Sequence, residues 1–147
     1  MKNVVYEWQP EEGLAICKVY YNNIEFKGTA SCHPDDMDMC SKMTGQTIAE
    51  LRAEIKKLQH IRDNELRPQL KVLNQLYYAM NRSKEYNKKS YESKMLYRRI
   101  QFIKNQLTAV KEEINNRKQE LKEYIDQKDE FYKKLRANRN KSNSDTP

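Results

Sequence analysis

The sequence predicts a mainly α-helical fold, in which a long antiparallel helical hairpin of the coiled-coil type carries a small N-terminal β-hairpin. Of the 147 residues only 37% are apolar whereas 33% are charged, a balance that supplies a narrow seam between helices and not a thick core. From Ile48 to Leu135 apolar residues recur at spacings of three and four, which is the period of a coiled coil. The chain has only three glycines and four prolines, which argues against a loop-rich fold.

Residues 1–46 are predicted to form the β-hairpin and an acidic turn. Leu14 to Tyr20 and Ile24 to Ser31 are strand-like, and the two asparagines between them tolerate the positive φ that a tight turn requires. Asn3 to Trp8 is a candidate third strand. Because a two-stranded ribbon is marginal in water, we expect the helices or a partner to cover one face of it.

The helical hairpin is predicted over residues 47–137, and its first helix over about residues 47–81. Thr47 and Glu50 form a T-x-x-E capping box at the start. Pro68 has no amide proton to donate to Asn64, which predicts a kink or stutter near residues 61–68. The predicted seam residues are Ile48, Leu51, Ile55, Leu58, Leu66, Leu70, Leu73, Tyr77 and Met80.

The second helix is predicted over about residues 90–137, after a chain reversal between Asn81 and Ser90. Its seam residues are Leu96, Ile100, Ile103, Leu107, Val110, Ile114, Leu121, Tyr124, Phe131 and Leu135. Arg117 and Lys128 interrupt that seam. Residues 138–147 contain no apolar side chain and are predicted to be a disordered tail.

Each seam requires a partner, and the short connection makes the other helix of the same chain the nearest one. Homodimerisation into a four-helix bundle is the alternative, because the two seams match only approximately in length. No apolar run approaches the ~20 residues of a membrane span, and the N-terminus lacks the apolar stretch of a secretion signal. We therefore expect no membrane contact, a cytoplasmic location, and free thiols at Cys17, Cys32 and Cys40.

The run from Cys32 to Asp36 raises the question of a metal site. Its His-Pro-Asp-Asp resembles the metal-binding signature of the PIG-L-type zinc deacetylases, whose larger α/β domain supplies a second, distant histidine. Here the resemblance covers four residues, and the other histidine, His60, lies in a predicted helix. A zinc site from Cys17, Cys32, His33 and Cys40 is also disfavoured, because Cys32 and Cys40 are eight residues apart. We predict no metal, no cofactor and no catalytic site, and interpret the run as an acidic turn of His33, Asp35, Asp36 and Asp38.

The reversal between the helices is the strongest candidate binding surface. Residues 81–104 carry eight Lys/Arg against two Glu, a balance of +6, and five tyrosines are interleaved between Tyr77 and Tyr97. Cations beside aromatic rings are the groups that contact phosphates and bases. The alternative is that the lysines solvate a helix surface while Tyr77 and Tyr97 pack in the seam. The candidate residues of this basic aromatic tip are Arg82, Lys84, Tyr86, Lys88, Lys89, Tyr91, Lys94, Arg98 and Arg99.

Three segments, residues 26–57, 75–100 and 120–136, resemble a family of small proteins encoded by bacteriophages and prophages of Firmicutes. The pattern is G-x-A-x-C-H-P-D-D-x-D, then T-G-x-x-I-A-x-x-R-A, then a Tyr-rich linker between long helices; its first two parts lie between Gly28 and Ala53. The resemblance implies an accessory protein in the cytosol of a bacterial host, of a kind that often antagonises host defences. It carries no established activity over to this chain.

Three functional hypotheses follow. The leading one is a phage-encoded, non-enzymatic interaction protein that binds a host protein, such as a bacterial defence component, and inhibits or sequesters it. The second is a nucleic-acid-binding accessory protein that uses the basic tip, because residues 47–147 carry a net charge of +10. The third is a sponge that traps a nucleotide signal between tyrosines and arginines of the tip.

Overall fold

The structure, a computed structural model, describes residues 3–32, 41–82 and 91–144, with side chains as far as residue 141. The described chain is mainly helical and has a small antiparallel sheet at its N-terminus, as the composition and periodicity predict. The strands are β1 Val4–Gln9, β2 Leu14–Tyr21 and β3 Ile24–Ser31. The helices are α1 Lys42–His60, a π-helical segment Ile61–Leu66, α2 Arg67–Arg82 and α3 Tyr91–Ser144.

The sheet has the order β1-β2-β3, so the candidate third strand is present and β2 lies in the centre. Asn22 and Asn23 have φ of 48° and 63° between β2 and β3, the pair of positive values that a type I′ hairpin turn requires. In the register of the sheet, Cys17 on β2 pairs with Tyr6 on β1 and with Gly28 on β3. These three residues therefore lie on one face.

That face packs against α1, which confirms that the helices cover it. Ala15, Cys17, Val19 and Ala30 of the sheet form one buried cluster with Ala49 and Ala53 of α1. Short side chains on both partners let the two backbones approach closely. The edge strand is held as well, because Arg52 Nη1 donates to the Thr29 carbonyl at 2.7 Å and Lys56 Nζ to the Lys27 carbonyl at 2.6 Å.

The first helix begins five residues before the predicted start. Ser41 is its cap, since its Oγ accepts a hydrogen bond from the Thr44 amide at 3.3 Å. The Thr47 hydroxyl donates to the Met43 carbonyl within the helix, at 2.9 Å. The capping box predicted at Thr47 and Glu50 is therefore wrong, because a threonine inside a helix satisfies its hydroxyl on the preceding turn.

The irregularity predicted near residues 61–68 takes the form of the π-helical segment directly before Pro68. A proline ring crowds the carbonyl four residues earlier, and a locally wider turn relieves that clash. Surface ion pairs span the segment, with Asp63 Oδ1 at 2.8 Å from both Arg62 Nε and Arg67 Nη1.

The last helix, α3, departs from prediction at its C-terminal end. It continues as far as Ser144, so the disorder predicted from Asn138 is wrong over residues 138–144; basic residues such as Lys141 in its last turn favour the helix dipole. Its seam is buried as predicted at Ile100, Ile103, Leu107 and Ile114. Further along, Ile125 and Tyr132 are half-buried whereas Phe131 and Leu135 are exposed, so the inward face shifts by one position and the seam predicted at Phe131 and Leu135 is wrong.

The chain forms two compact units, and both α1 and α3 contribute residues to each of them. The first unit comprises Met1–Lys57 and Asn116–Pro147, and the second unit is Leu58–Asn115. This grouping differs from the predicted division at residue 46, because most of α1 packs on the sheet. No helix in the described part of the chain is both long enough and apolar enough to cross a membrane.

Candidate interaction surface

The described part of the predicted tip lies in the second unit, where α2 ends and α3 begins. The rings of Tyr77 and Tyr97 meet there, with their centroids 6.2 Å apart and their planes inclined at 46°. A shallow groove of about 300 Å³ beside this contact is lined by Tyr77, Ser93, Lys94, Tyr97 and Arg98. Of its lining, Ser93 is buried and the two cations are exposed, so the groove presents positive charge above a packed floor.

Two arginines of the second unit lie over aromatic rings. The guanidinium carbon of Arg82 is 5.3 Å from the centroid of Tyr78, and that of Arg99 is 5.3 Å from the centroid of Phe102. Each contact is a cation–π interaction that holds a long side chain in one orientation. An arginine fixed in this way loses less conformational entropy when it binds a partner.

Five of the nine predicted tip residues are described, and all five side chains are exposed. The Tyr91 side chain is at 73% of its full exposure. The described residues are Arg82, Tyr91, Lys94, Arg98 and Arg99, whereas Lys84, Tyr86, Lys88 and Lys89 lie outside the described residues. Residues 68–82 and 91–107 together carry six Lys/Arg and one acid, Glu92, so the described surface is strongly basic.

Sequence reasoning missed a set of exposed apolar residues in the same unit. Val72 is 61% exposed, Leu76 49%, Met95 43% and Phe102 50%. Each of them directly precedes a predicted seam residue and lies outside the predicted seam. The signal that could have identified them is the presence of apolar residues outside the seam, because only 37% of the chain is apolar.

The predicted acidic turn of His33, Asp35, Asp36 and Asp38 lies outside the described residues. Within residues 3–32, 41–82 and 91–141, no group of three or more His, Cys, Asp or Glu side chains could hold a metal ion. The expectation of free thiols is correct for Cys17 and wrong for Cys32, which is disulfide-bonded.

Burial and nearby carboxylates raise the pKa of two titratable groups in the first unit. Burial, with Glu50 and Glu54 nearby, raises the pKa of the Cys17 thiol to about 11. Burial and a hydrogen bond to Glu50 raise the pKa of Tyr6 to about 12. Both groups are neutral at pH 7, and a neutral, buried thiol is a poor nucleophile.

The first unit also contains a cavity of about 230 Å³ at the N-terminal end of α1. Its walls are mostly apolar and also include hydroxyl-bearing residues and the charged residues Lys128 and Asp129. Among its lining residues are Trp8, Ala30, Thr44, Gly45, Ile125 and Tyr132.

Neither a protein-family model, nor a curated protein, nor a solved structure matches this chain.

Proposed function

We propose that this chain is a non-enzymatic interaction protein that binds a host protein and inhibits or sequesters it through the second unit. The observation that carries the proposal is the joint exposure of aromatic, aliphatic and arginine side chains on one small helical unit. Binding energy at protein interfaces is concentrated in Trp, Tyr and Arg residues, and Met and Phe are enriched there. We call the residues around the tip, Tyr78, Arg82, Tyr91, Lys94, Tyr97 and Arg98, the basic aromatic surface.

The geometry favours α2 and the first half of α3 pairing as an antiparallel hairpin. The Tyr77–Tyr97 contact joins the end of one helix to the start of the next. Ile100, Ile103 and Leu107 are buried at three- and four-residue spacing, which is the pattern of a helix that faces another helix. In this arrangement the basic aromatic surface lies at the end of the second unit where α2 ends and α3 begins.

A protein target is favoured over a nucleic acid by the exposed aliphatic residues. Val72, Leu76 and Met95 offer nothing to a phosphate backbone, whereas the apolar core of a protein interface would bury them. The resemblance to phage proteins favours a protein of the bacterial host as the target, and a component of a defence system is the target we propose.

Affinity capture tests this proposal. The tagged full chain is incubated with bacterial host lysate at physiological salt, beside a Tyr91→Ala/Arg98→Gln variant and a control, Tyr20→Ala/Lys27→Gln. The control likewise replaces one tyrosine and one cationic residue, at exposed positions of the sheet. We expect one host protein to be retained by the wild type and the control and lost from the variant. Equal retention by all three, or by none, contradicts the proposal.

Nucleic-acid binding is the second candidate, because Tyr91 and Tyr97 are exposed beside Lys94 and Arg98. Bases stack on tyrosine rings while cations neutralise phosphates. Fluorescence anisotropy with a labelled single strand at 50 and 200 mM salt tests it. An affinity that falls steeply between the two, and falls further in the Tyr91→Ala/Arg98→Gln variant, supports this candidate. No binding at the lower salt removes it.

A further inference from the structure

The second unit has two unlike sides, and their difference can be derived from the seam. In an antiparallel helix pair, the residues one position before the seam residues lie on one side of both helices, and those one position after lie on the other. The seam residues of α2 are Leu70, Leu73, Tyr77 and Met80, all half-buried. Those of α3 are Ser93, Leu96, Ile100, Ile103 and Leu107, four of which are buried.

The residues that precede the seam form the apolar side. On α2 they are Gln69, Val72, Leu76 and Ala79, and on α3 they are Glu92, Met95, Arg99, Phe102 and Gln106. All nine are exposed. The residues that follow the seam include no aliphatic side chain: they are the two tyrosines Tyr78 and Tyr97 and the polar or cationic residues Lys71, Asn74, Asn81, Lys94, Gln101, Lys104 and Thr108. Exposure to water does not by itself explain why aliphatic residues occur on one side and not on the other.

The positions of these residues along the helix pair follow from the Tyr77–Tyr97 contact. Because the helices run in opposite directions, Val72 and Phe102, each five residues from that contact, lie at the same level. Ala79 and Met95, each two residues from it on the other side, also share a level. Leu76 and Arg99 lie between these pairs, so the four apolar residues and Ala79 surround one arginine.

The Arg99 side chain is held in one orientation by a neighbouring ring. Its guanidinium lies over the Phe102 ring, with the carbon 5.3 Å from the centroid. A cation in the middle of an apolar patch requires an anion when the patch is covered, since burying an unpaired charge is costly.

A second copy of this chain would not supply that anion. A two-fold axis through the middle of the apolar side brings Arg99 of one copy against Arg99 of the other. Glu92 is the one acid among these nine residues, and it lies beside Met95 at the end of the patch.

We propose that the apolar side of the second unit binds an acidic amphipathic helix of the partner protein. This inference depends on the proposed function, because it names the kind of segment that the host protein presents. The partner helix places apolar residues at i, i+3 or i+4, and i+7 between α2 and α3, and directs an Asp or Glu between them to Arg99. Val72 to Ala79 spans about 10 Å at 1.5 Å per residue, so a helix of roughly two turns covers the patch.

Site-specific photo-cross-linking tests this inference. The full chain carries p-benzoylphenylalanine in place of Leu76 on the apolar side or, as the matched control, in place of Asn74 on the opposite side of the same helix. A third version carries it in place of Tyr78, in the basic aromatic surface. Each is irradiated in host lysate, and the cross-linked peptides are identified by mass spectrometry.

We expect Leu76→p-benzoylphenylalanine to cross-link to one acidic peptide with helical apolar spacing, and Asn74→p-benzoylphenylalanine to give several-fold less product. Cross-linking to the same partner from position 78 but not from position 76 overturns this inference and leaves the proposed function standing. A basic or non-helical peptide at position 76, or a second copy of this chain, also overturns it. Protein cross-links at none of the three positions, or nucleic acid in their place, contradict the proposed function itself.

Charge substitution at Arg99 gives an independent readout on the captured partner. Arg99→Glu should weaken binding by about tenfold or more, and Arg99→Lys should weaken it less, because lysine keeps the charge but loses the planar fork. Arg99 is exposed, so both variants should fold, and circular dichroism confirms this. Equal affinity for wild type and Arg99→Glu contradicts the pairing with a carboxylate.

Discussion

Gly28 of β3 lies directly beneath the Ala49 carbonyl of α1. A Cβ built at Gly28 would overlap that oxygen and approach the Ala53 amide nitrogen to 2.5 Å. Both obstacles are backbone atoms of a helix, which cannot turn aside as a flexible side chain does. The helix and the sheet of the first unit are thus joined at a position where only glycine fits.

Gly28→Ala should destabilise the first unit by about 3 kcal/mol, at the upper end of what overpacking costs, because α1 must move away from the sheet. Urea unfolding followed by circular dichroism measures the change. Thr29→Ala, at the neighbouring exposed position on the other face of β3, is the control and should cost less than about 0.5 kcal/mol. Similar losses for the two variants would show that the helix does not pack at Gly28.

The observed start of α1 predicts an unequal pair of substitutions. Ser41→Ala removes the oxygen that accepts the Thr44 amide and should cost about 1 kcal/mol. Thr47→Ala lies within the helix, where alanine is the better helix former, and should be neutral or slightly stabilising. Urea unfolding of both variants compares them, and a larger loss for Thr47→Ala would restore the predicted capping box.

Two adjacent residues of α3 separate packing from binding. Ile103 is almost fully buried, and Ile103→Ala should cost about 2–5 kcal/mol because it leaves a cavity in the second unit. Phe102 is half exposed, so Phe102→Ala should cost little stability but weaken partner binding at the apolar side. Thermal unfolding and affinity capture of the two variants distinguish these roles. A stability loss at Phe102 as large as that at Ile103 would mean that Phe102 packs inside the unit.

The first unit should lose stability at alkaline pH because of Cys17. The thiol has its ordinary pKa of 9.0 in the unfolded chain, whereas burial raises the pKa to about 11 in the folded protein. The folded state therefore favours the neutral thiol. The stabilisation is complete below pH 9 and falls as the pH rises from about 9 towards 11. Urea unfolding across this range measures the slope, and Cys17→Ala should flatten it. An unchanged slope in Cys17→Ala would assign the effect to other groups.

The oxidation state of the cysteines can be checked directly. When native protein is treated with a maleimide at pH 7, neither Cys17, which is buried, nor Cys32, which is disulfide-bonded, should react. After unfolding without a reductant, Cys17 should be labelled and Cys32 should not, and peptide mapping distinguishes the two. Labelling of Cys32 without reduction would show that the bond is absent.

Much of the fold could be predicted from local patterns. Alternating residues and the Asn22-Asn23 turn identified the hairpin, and spacings of three and four identified the helices, because these signals depend only on neighbouring residues. The packing of α1 on β3 could not be predicted in the same way. It depends on a contact between Gly28 and two residues distant in sequence, Ala49 and Ala53. The one local signal is that these two alanines are four residues apart and so lie on the same face of the helix.

The errors at the helix ends and along α3 also have physical causes. The capping box was assigned from Thr47 because the sequence motif fits there, whereas Ser41, which precedes no acid at the required spacing, is the cap. In α3 the heptad pattern continues to Leu135 in the sequence, but Ile125 and Tyr132 turn towards the first unit's cavity. The candidate surface was found by its charge, and its apolar side was missed because apolar residues were assigned only to the seam.

Hydrogen–deuterium exchange on the purified complex with the captured host protein tests the central claim most directly. We expect slowed exchange over residues 67–82 and 91–107, where the exposed aromatic, apolar and arginine side chains lie, and unchanged exchange over β1 to β3. Protection confined to the sheet, with the second unit exchanging as it does in the free protein, would contradict the assignment of binding to the second unit.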